Sequence, residues 1–152
     1  MRRAINGALG GLGGTIALTG FRKGLARVGL VQKTAPEQVV ERLDELGLTD
    51  DWSPEAHHAL AVAAHLAYGV GTGAVLGLLR HRRGGVSEEA AVGSALGLLA
   101  WGAGWSTWLP LAGVHEPPWK QETPRVLLPI LDHVVFGAVW GLLYRSMKPD
   151  RV

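Results

Sequence analysis

Two histidines and one aspartate stand inside otherwise uncharged stretches of this sequence. His65 and His133 each begin the same pattern, H-x-x-[YF]-G-x-x-x-G, and Asp132 directly precedes the second histidine. An imidazole can carry a proton, accept a hydrogen bond or ligate a metal, and a carboxylate can exchange a proton with it. These three side chains are therefore the first candidates for a functional site. The aromatic residues of the two patterns complete the set: Tyr68 and Phe136.

Three uses of the histidine pair stay open. The imidazoles can tie helices together by hydrogen bonds, which makes the protein a non-enzymatic packed bundle. With Asp132 they can handle a proton or a small solute, as in a transporter or channel, because ionisable groups inside membrane spans mark functional sites. His65 and His133 can also hold haem b or a metal. Glycines near both histidines draw helices together whereas a haem separates them, so we expect no resident cofactor and no metal.

Other kinds of chemistry find little support in the composition. The chain of 152 residues has no cysteine, which excludes disulfides, thiolate metal sites and a cysteine nucleophile. A formal net charge of +2 is too small to indicate a nucleic-acid partner. The glycine-rich segment from Gly7 to Gly14 carries neither phosphate-binding fingerprint, and no G-x-S-x-G is present. The sequence therefore indicates a protein without enzymatic activity.

The elements that must position the candidate residues follow from where charge is missing. Only 18% of the residues are charged, whereas 47% are hydrophobic and 22 are glycine. A charge at the centre of a bilayer costs about 2.5–3.5 kcal/mol, and a helix needs about 20 residues to cross. Four stretches with few or no charges meet these requirements: 4–24, 56–79, 90–112 and 125–145. We therefore expect one all-α domain, residues 1–152, with four transmembrane helices in the lipid bilayer. The alternative is a soluble helical bundle.

Basic residues favour both termini on the cytoplasmic side. They are nearly balanced between the two sides of a four-span topology, but those on the side of the termini lie in short, dense segments. The second loop is the densest, with Arg80, Arg82 and Arg83. This orientation places Trp140 and Tyr144 near the inner interface, where aromatic belts lie.

A short amphipathic helix is expected in the first loop, over residues 36–46. Thr34 and Glu37 match the S/T-x-x-E capping box, and Pro36 stands just inside the helix start. Apolar residues then recur at helical spacing, and Gly47 ends the helix. This helix lies on the bilayer surface or covers the bundle as a lid.

The two histidine patterns indicate an internal repeat of two similar helical hairpins. Residues four apart lie on one face of a helix. The rows with this spacing are His65, Gly69, Gly73 and Gly77, and then His133, Gly137 and Gly141. Small residues let helices approach closely in a membrane. We therefore expect these glycines to form a helix seam, or glycine zipper, with a histidine at one end of each row.

The order of these features resembles the YagU-like family of small bacterial inner-membrane proteins. Besides the glycine-rich first span, the matching residues are Pro36, His65-x-x-Tyr68-Gly69, Trp105, Trp108, Pro110, Leu111-Ala-Gly113 and His133-x-x-Phe136-Gly137. The resemblance implies a four-helix protein of the bacterial inner membrane, and it transfers no catalytic residue to this chain. A homo-oligomer and a membrane-protein partner are both left open.

Overall fold

All regular structure in the described part of the chain is helical. The structure is a computed structural model that describes residues 1–30, 33–80 and 84–147. The α-helices are α1 (Arg2–Arg27), α2 (Ala35–Glu45), α3 (Pro54–Leu79), α4 (Val86–Ala103), α5 (Leu109–Leu111) and α6 (Thr123–Ser146). A π-helical turn, Gly104–Trp108, connects α4 to α5, and a 3-10 turn, Pro118–Lys120, precedes α6. The expected all-α fold class is confirmed.

Two of these helices are long and apolar enough to cross a membrane, namely α3 and the Arg125–Ser146 part of α6. Four such spans were expected, but within the described residues α1 and α4 do not combine the length and the hydropathy that identify a candidate membrane span. Glycines dilute the hydrophobicity of α1. α4 begins with Glu88 and Glu89 in its first turn, and its regular hydrogen bonding stops at Ala103.

Small residues face the inside of the bundle and large apolar residues face outward. In α3, Gly69, Gly73 and Gly77 are buried, whereas Val75 and Leu79 are more than half exposed. A protein dissolved in water does the opposite with its large aliphatic side chains. Hydrocarbon solvates such side chains well, and it leaves close packing of small residues to hold helices together. The distribution therefore favours lipid as the surroundings of these helices.

Backbone-to-backbone contact joins α1 to α3. A Cβ atom at Gly73 would lie 2.6 Å from the Cα of Gly11, and one at Gly7 would lie 2.8 Å from the Cα of Gly77. Real Cβ atoms do not approach other carbons this closely, so only glycine allows this separation of the two helices. We call this contact the α1–α3 seam.

A second seam of the same kind joins α4 to α6. A Cβ atom at Gly97 would lie 3.1 Å from the Cα of Gly137, and one at Gly141 would lie 3.3 Å from the Cα of Gly93. The sequence suggested glycine rows packing at a common seam. In the structure each row packs on the long helix that precedes it in the chain, so there are two separate seams.

Trp140 and Tyr144 of α6 connect the two helix pairs. Trp140 Nε1 lies 3.1 Å from the carbonyl oxygen of Gly7 and 3.3 Å from that of Gly73, and it donates its one proton to this pair of acceptors. The Tyr144 hydroxyl donates toward the carbonyl oxygen of Gly77 at 3.2 Å. Trp140 is 0% exposed and Tyr144 1%. The two rings therefore do not face lipid as an aromatic belt does, because their polar atoms find carbonyl partners inside the bundle. Their expected depth near the inner interface stays a prediction.

α2 has the capping box that the sequence predicted. The Glu37 amide donates to Thr34 Oγ1 at 3.4 Å, and the Thr34 amide donates to the Glu37 carboxylate at 2.6 Å. Gly47 follows the helix with a φ of +70°. α2 packs on α3, and Arg42 Nε donates to the Ala112 carbonyl at 3.4 Å. We call this end of the bundle the α2 end.

A buried carboxylate marks the opposite end. Glu89 is 0% exposed, and its Oε1 accepts from Arg80 Nη2 at 2.7 Å. This ion pair raises the pKa of Arg80 above its usual range. Half of the eight basic residues that favour a cytoplasmic location for this end lie outside the described residues: Arg82, Arg83, Lys148 and Arg151.

The α1–α3 seam predicts a sharp difference between two glycines of α3. Gly73→Ala places a methyl group against the Gly11 backbone and should lower the free energy of unfolding by about 1–3 kcal/mol. Gly71→Ala meets nothing within 4 Å and should be neutral or stabilising by up to about 1 kcal/mol. Unfolding in mixed detergent and dodecyl sulfate micelles measures both. Equal effects of the two substitutions would contradict the seam.

Candidate functional site

An ion pair between α1 and α6 is the strongest polar interaction near the α2 end. Arg22 Nε lies 2.6 Å from Asp132 Oδ2, and the side chains are 18% and 5% exposed. Within the described residues Asp132 Oδ1 has no hydrogen-bond partner. Half of the carboxylate is therefore left as an unused acceptor.

The tautomer of His133 follows from its one hydrogen bond. Its Nδ1 lies 2.8 Å from the Pro129 carbonyl oxygen of the same helix. A carbonyl oxygen only accepts, so Nδ1 carries the hydrogen and Nε2 of the neutral ring is an acceptor. His65 makes no hydrogen bond to any other described residue. In this part of the chain neither histidine ties two helices together by a hydrogen bond.

One cavity of about 230 Å³ collects the candidate residues. His65, Asp132 and His133 line it, together with Tyr68 and Phe136. All five side chains that the sequence singled out therefore lie on a single cavity. Of the seam glycines, Gly69 reaches this cavity, whereas the structure places Gly73, Gly77, Gly137 and Gly141 within the two seams.

The walls of the cavity are mostly apolar. Trp105 and Trp108 of the π-helical turn form one side, and Ala64 and Thr72 of α3 form the other. The first turns of α2, from Thr34 to Val39, lie over it. The charged pair is therefore placed at the edge of an aromatic and aliphatic chamber, where it is screened little by solvent.

A second cavity of about 230 Å³ adjoins the first near the α2 end. It is lined by Lys23 and Glu37 and shares Arg22, His65 and Asp132 with the first cavity. Arg22 and Asp132 therefore lie on the walls of both cavities.

The π-helical turn shapes the aromatic side of the cavity. The Leu109 amide donates to the Gly104 carbonyl, five residues back, instead of the usual four. Pro110 follows and has no amide hydrogen to donate, so regular α-helical bonding cannot continue here. Such turns occur often at functional sites because they turn side chains out of register. Trp105 is thereby buried, with only 6% of its surface exposed, and its Nε1 donates to Gln121 Oε1 at 3.3 Å.

Tightly packed side chains separate the cavity from the opposite end of the bundle. Thr15 and Phe136, which line it, are 1% and 5% exposed. Beyond them the buried rings of Trp140 and Tyr144 stack with centroids 5.1 Å apart. The cavity is therefore confined to the half of the bundle nearest α2.

Sequence reasoning missed two contributors to this site. Arg22 lies at the end of the first uncharged stretch, and its pairing with Asp132 depends on how α1 packs on α6. The π-helical turn had one signal in the sequence, Pro110 inside an apolar helix, and its exact place could not be read from that.

No group of three His, Asp or Glu side chains within residues 1–30, 33–80 and 84–147 is arranged to hold a metal ion. The expectation of no resident cofactor stays a prediction, and haem b held by His65 and His133 stays the open alternative.

The comparisons with known proteins give no relative. The chain matches no protein-family model, and neither a curated protein nor a solved structure matches it significantly. The resemblance to the YagU-like family therefore stays a prediction, and the geometry of the site is what bears on the function.

The buried ion pair can be tested by a double-mutant cycle. Arg22→Ala should lower the free energy of unfolding by about 3–5 kcal/mol, because it leaves the Asp132 carboxylate without its cation. The double variant Arg22→Ala with Asp132→Ala should lose clearly less than the two single losses added together. Arg27→Ala, at the exposed end of α1, should change stability by less than about 0.5 kcal/mol. Strict additivity of the pair would contradict the direct interaction.

Proposed function

We propose that this protein is a non-enzymatic integral membrane protein that binds a small solute at the Arg22–Asp132 ion pair as part of transport. One observation carries the proposal. A buried ion pair and two histidines, all on helices, line the same cavity between aromatic walls. Polar groups in such a position are the usual mark of a substrate site in membrane proteins.

The proposal includes four transmembrane helices in two similar hairpins. α1 has 26 residues, and the helical segment from Val86 through the π-helical turn to Leu111 is equally long. At 1.5 Å per residue each exceeds the thickness of about 30 Å of the hydrocarbon core. The two glycine seams give both hairpins the same mode of contact. We place the protein in the bacterial inner membrane, with both termini cytoplasmic and the α2 end outside.

A purely structural role explains the site less well. Structural histidines are expected to bond across a helix interface, but His133 bonds within α6. A buried ion pair is weak support for stability, since apolar packing of equal volume serves as well or better. The helices already have two glycine seams that hold them. The ion pair and the cavity are therefore better explained by a ligand than by packing.

A continuous proton pathway is also less well supported than a solute site. Beyond the cavity, the buried Trp140 and Tyr144 rings fill the space between the helix pairs, and their polar hydrogens are engaged by backbone carbonyls. The cavity is therefore closed toward the end of the bundle opposite α2. This geometry matches one state of a carrier, with the site accessible from one side of the membrane.

Cysteine labelling tests the access to this site, because the chain has no native cysteine. Thr72→Cys puts a thiol on the cavity wall, and it should react with a membrane-impermeant methanethiosulfonate in right-side-out vesicles but not in inside-out vesicles. Val75→Cys, on the same helix but facing outward, should react in neither, because a thiol in hydrocarbon is not ionised.

The two other outcomes oppose the proposal. A Thr72→Cys thiol that reacts from neither side has no aqueous access, and the cavity is then a packing defect. A thiol that reacts equally from both sides indicates a channel and contradicts the closure by Trp140 and Tyr144.

A further inference from the structure

We propose that the ligand of this site is a single-chain amphiphile with a hydroxylated head group, and that it reaches the cavity sideways from the bilayer, between α3 and α4. The inference rests on the proposed function and names the substrate class for the same cavity. Three observations support it: a gap between two helices, the hydrogen-bonding character of the polar residues, and the size of the cavity.

The gap lies where the two helix pairs face each other without packing. α3 packs on α1 and α2, and α4 packs on α6, but among the described residues α3 and α4 share no comparable interface. Residues of both line the cavity, so no helix-to-helix packing closes its wall between them. Tyr68 and Trp108, on the two sides of the gap, are each 43% exposed. In a membrane this opening faces acyl chains rather than water.

Besides the rings of Tyr68 and Trp108, the gap is lined by small residues. Ala64 and Thr72 of α3 face the cavity, as do Ala100 and Gly104 of the opposite helix. The Tyr68 hydroxyl lies 3.2 Å from the position that a Cβ atom at Gly104 would take. A chain therefore passes between two partly exposed aromatic side chains, Tyr68 and Trp108, and rotation of such side chains is fast compared with the separation of two packed helices.

The polar residues offer acceptors to a ligand that brings a donor. His133 Nε2 is an acceptor because Nδ1 donates to Pro129, and Asp132 Oδ1 has no partner in the described part of the chain. Arg22 beside them is a donor. A hydroxyl group both donates and accepts, so it matches this set without carrying a charge.

Charged head groups fit less well. A carboxylate is attracted by Arg22 but lies against Asp132, and an ammonium group competes with Arg22 for the same carboxylate. Either charged head group disturbs the Arg22–Asp132 ion pair, whose net charge is already zero. A neutral hydroxyl leaves the Arg22–Asp132 bond intact and uses only the acceptors that remain.

The volume suits a head group with its chain left outside. The cavity of about 230 Å³ is smaller than the roughly 300–1,000 Å³ of pockets that enclose whole drug-sized ligands. A phenol or glycerol group matches this space, and an attached chain then extends through the gap into lipid. Phenolic (quinol-type) and glyceryl (monoacylglycerol-type) head groups share this chemistry, and the experiment separates them.

The test uses the Thr72→Cys protein in phosphatidylcholine vesicles and follows the rate of thiol labelling. The probes are 4-dodecylphenol, its methyl ether and 1-monolauroylglycerol, each mixed into the bilayer. A hydroxylated probe should slow labelling by about tenfold or more, and the methyl ether should not, because it has lost the donor. Protection by the phenol alone assigns a quinol-type head group, and protection by the glycerol ester alone assigns a glyceryl one. Either supports the proposal, as does protection by both.

Two matched pairs of variants locate the effect. His133→Ala should raise the phenol or glyceride concentration that gives half protection about tenfold, while Leu127→Ala, on the outer face of the same helix, should leave it unchanged. Ala100→Phe narrows the gap and should raise the same midpoint about tenfold or more. Leu99→Phe, one residue away and 69% exposed, is its control.

Three results would overturn the inference or a part of it. Equal protection by the methyl ether overturns the hydroxyl head group, and no protection by any probe overturns the amphiphile. An unchanged midpoint in Ala100→Phe overturns lateral access. If the Thr72→Cys thiol is labelled from one side and no probe protects it, the proposed function stands and this inference is wrong. If the thiol is inaccessible from both sides, the proposed function is wrong and the inference falls with it.

Discussion

The contact of helix backbones at glycine is the constraint on which the rest of this structure depends. Lipid gives helices no hydrophobic reason to associate, so close packing and hydrogen bonds must hold them. At the seams, a Cβ atom on Gly73 or Gly97 would come within 2.6–3.1 Å of a Cα of the facing helix. This closeness also brings backbone carbonyls within reach of the neighbouring pair, which is how Trp140 comes to donate to Gly7 and Gly73. The seams thus create the acceptors that join the two halves of the bundle.

The site exists because this tight packing is confined to part of the molecule. Each helix pair is held by its own seam, and the pairs meet through α1 and α6. Nothing comparable closes α3 against α4 in the described ranges, and the helices leave a chamber near α2. The π-helical turn at Gly104–Trp108 then directs two tryptophans to that chamber. One half of the bundle is therefore tightly packed and the other half holds the cavity, which is the arrangement that the proposed binding site uses.

The Arg22–Asp132 pair gives the chamber its chemical character. Isolated, either charge would be too costly at this depth, but together they form a neutral and strongly polar element. One oxygen of the Asp132 carboxylate accepts a hydrogen bond from Arg22, and one ring nitrogen of His133 donates to the Pro129 carbonyl oxygen. Asp132 Oδ1 and His133 Nε2 are left as acceptors next to aromatic walls. These two acceptors, rather than the ion pair itself, are why we propose a neutral ligand with a hydroxyl group.

Local chemistry was enough to predict much of this protein. The uncharged stretches, the capping box at Thr34 and Glu37 and the i, i+4 glycine rows are properties of neighbouring residues. Most helices begin and end within a few residues of where these patterns put them, but α4 ends at Ala103 and gives way to the π-helical turn. The histidines, Asp132 and their aromatic companions were also identified from their types alone, since polar groups are conspicuous among apolar ones.

No local pattern determined which helix surfaces pack on each other. Three features depend on the relative rotation of helices that are far apart in the chain. These features are the contact of Gly73 with Gly11, the burial of Trp140 inside the bundle, and the ion pair of Arg22 with Asp132. Many rotations satisfy the same sequence pattern, and only the tertiary packing, with its requirement that every buried polar atom find a partner, selects among them.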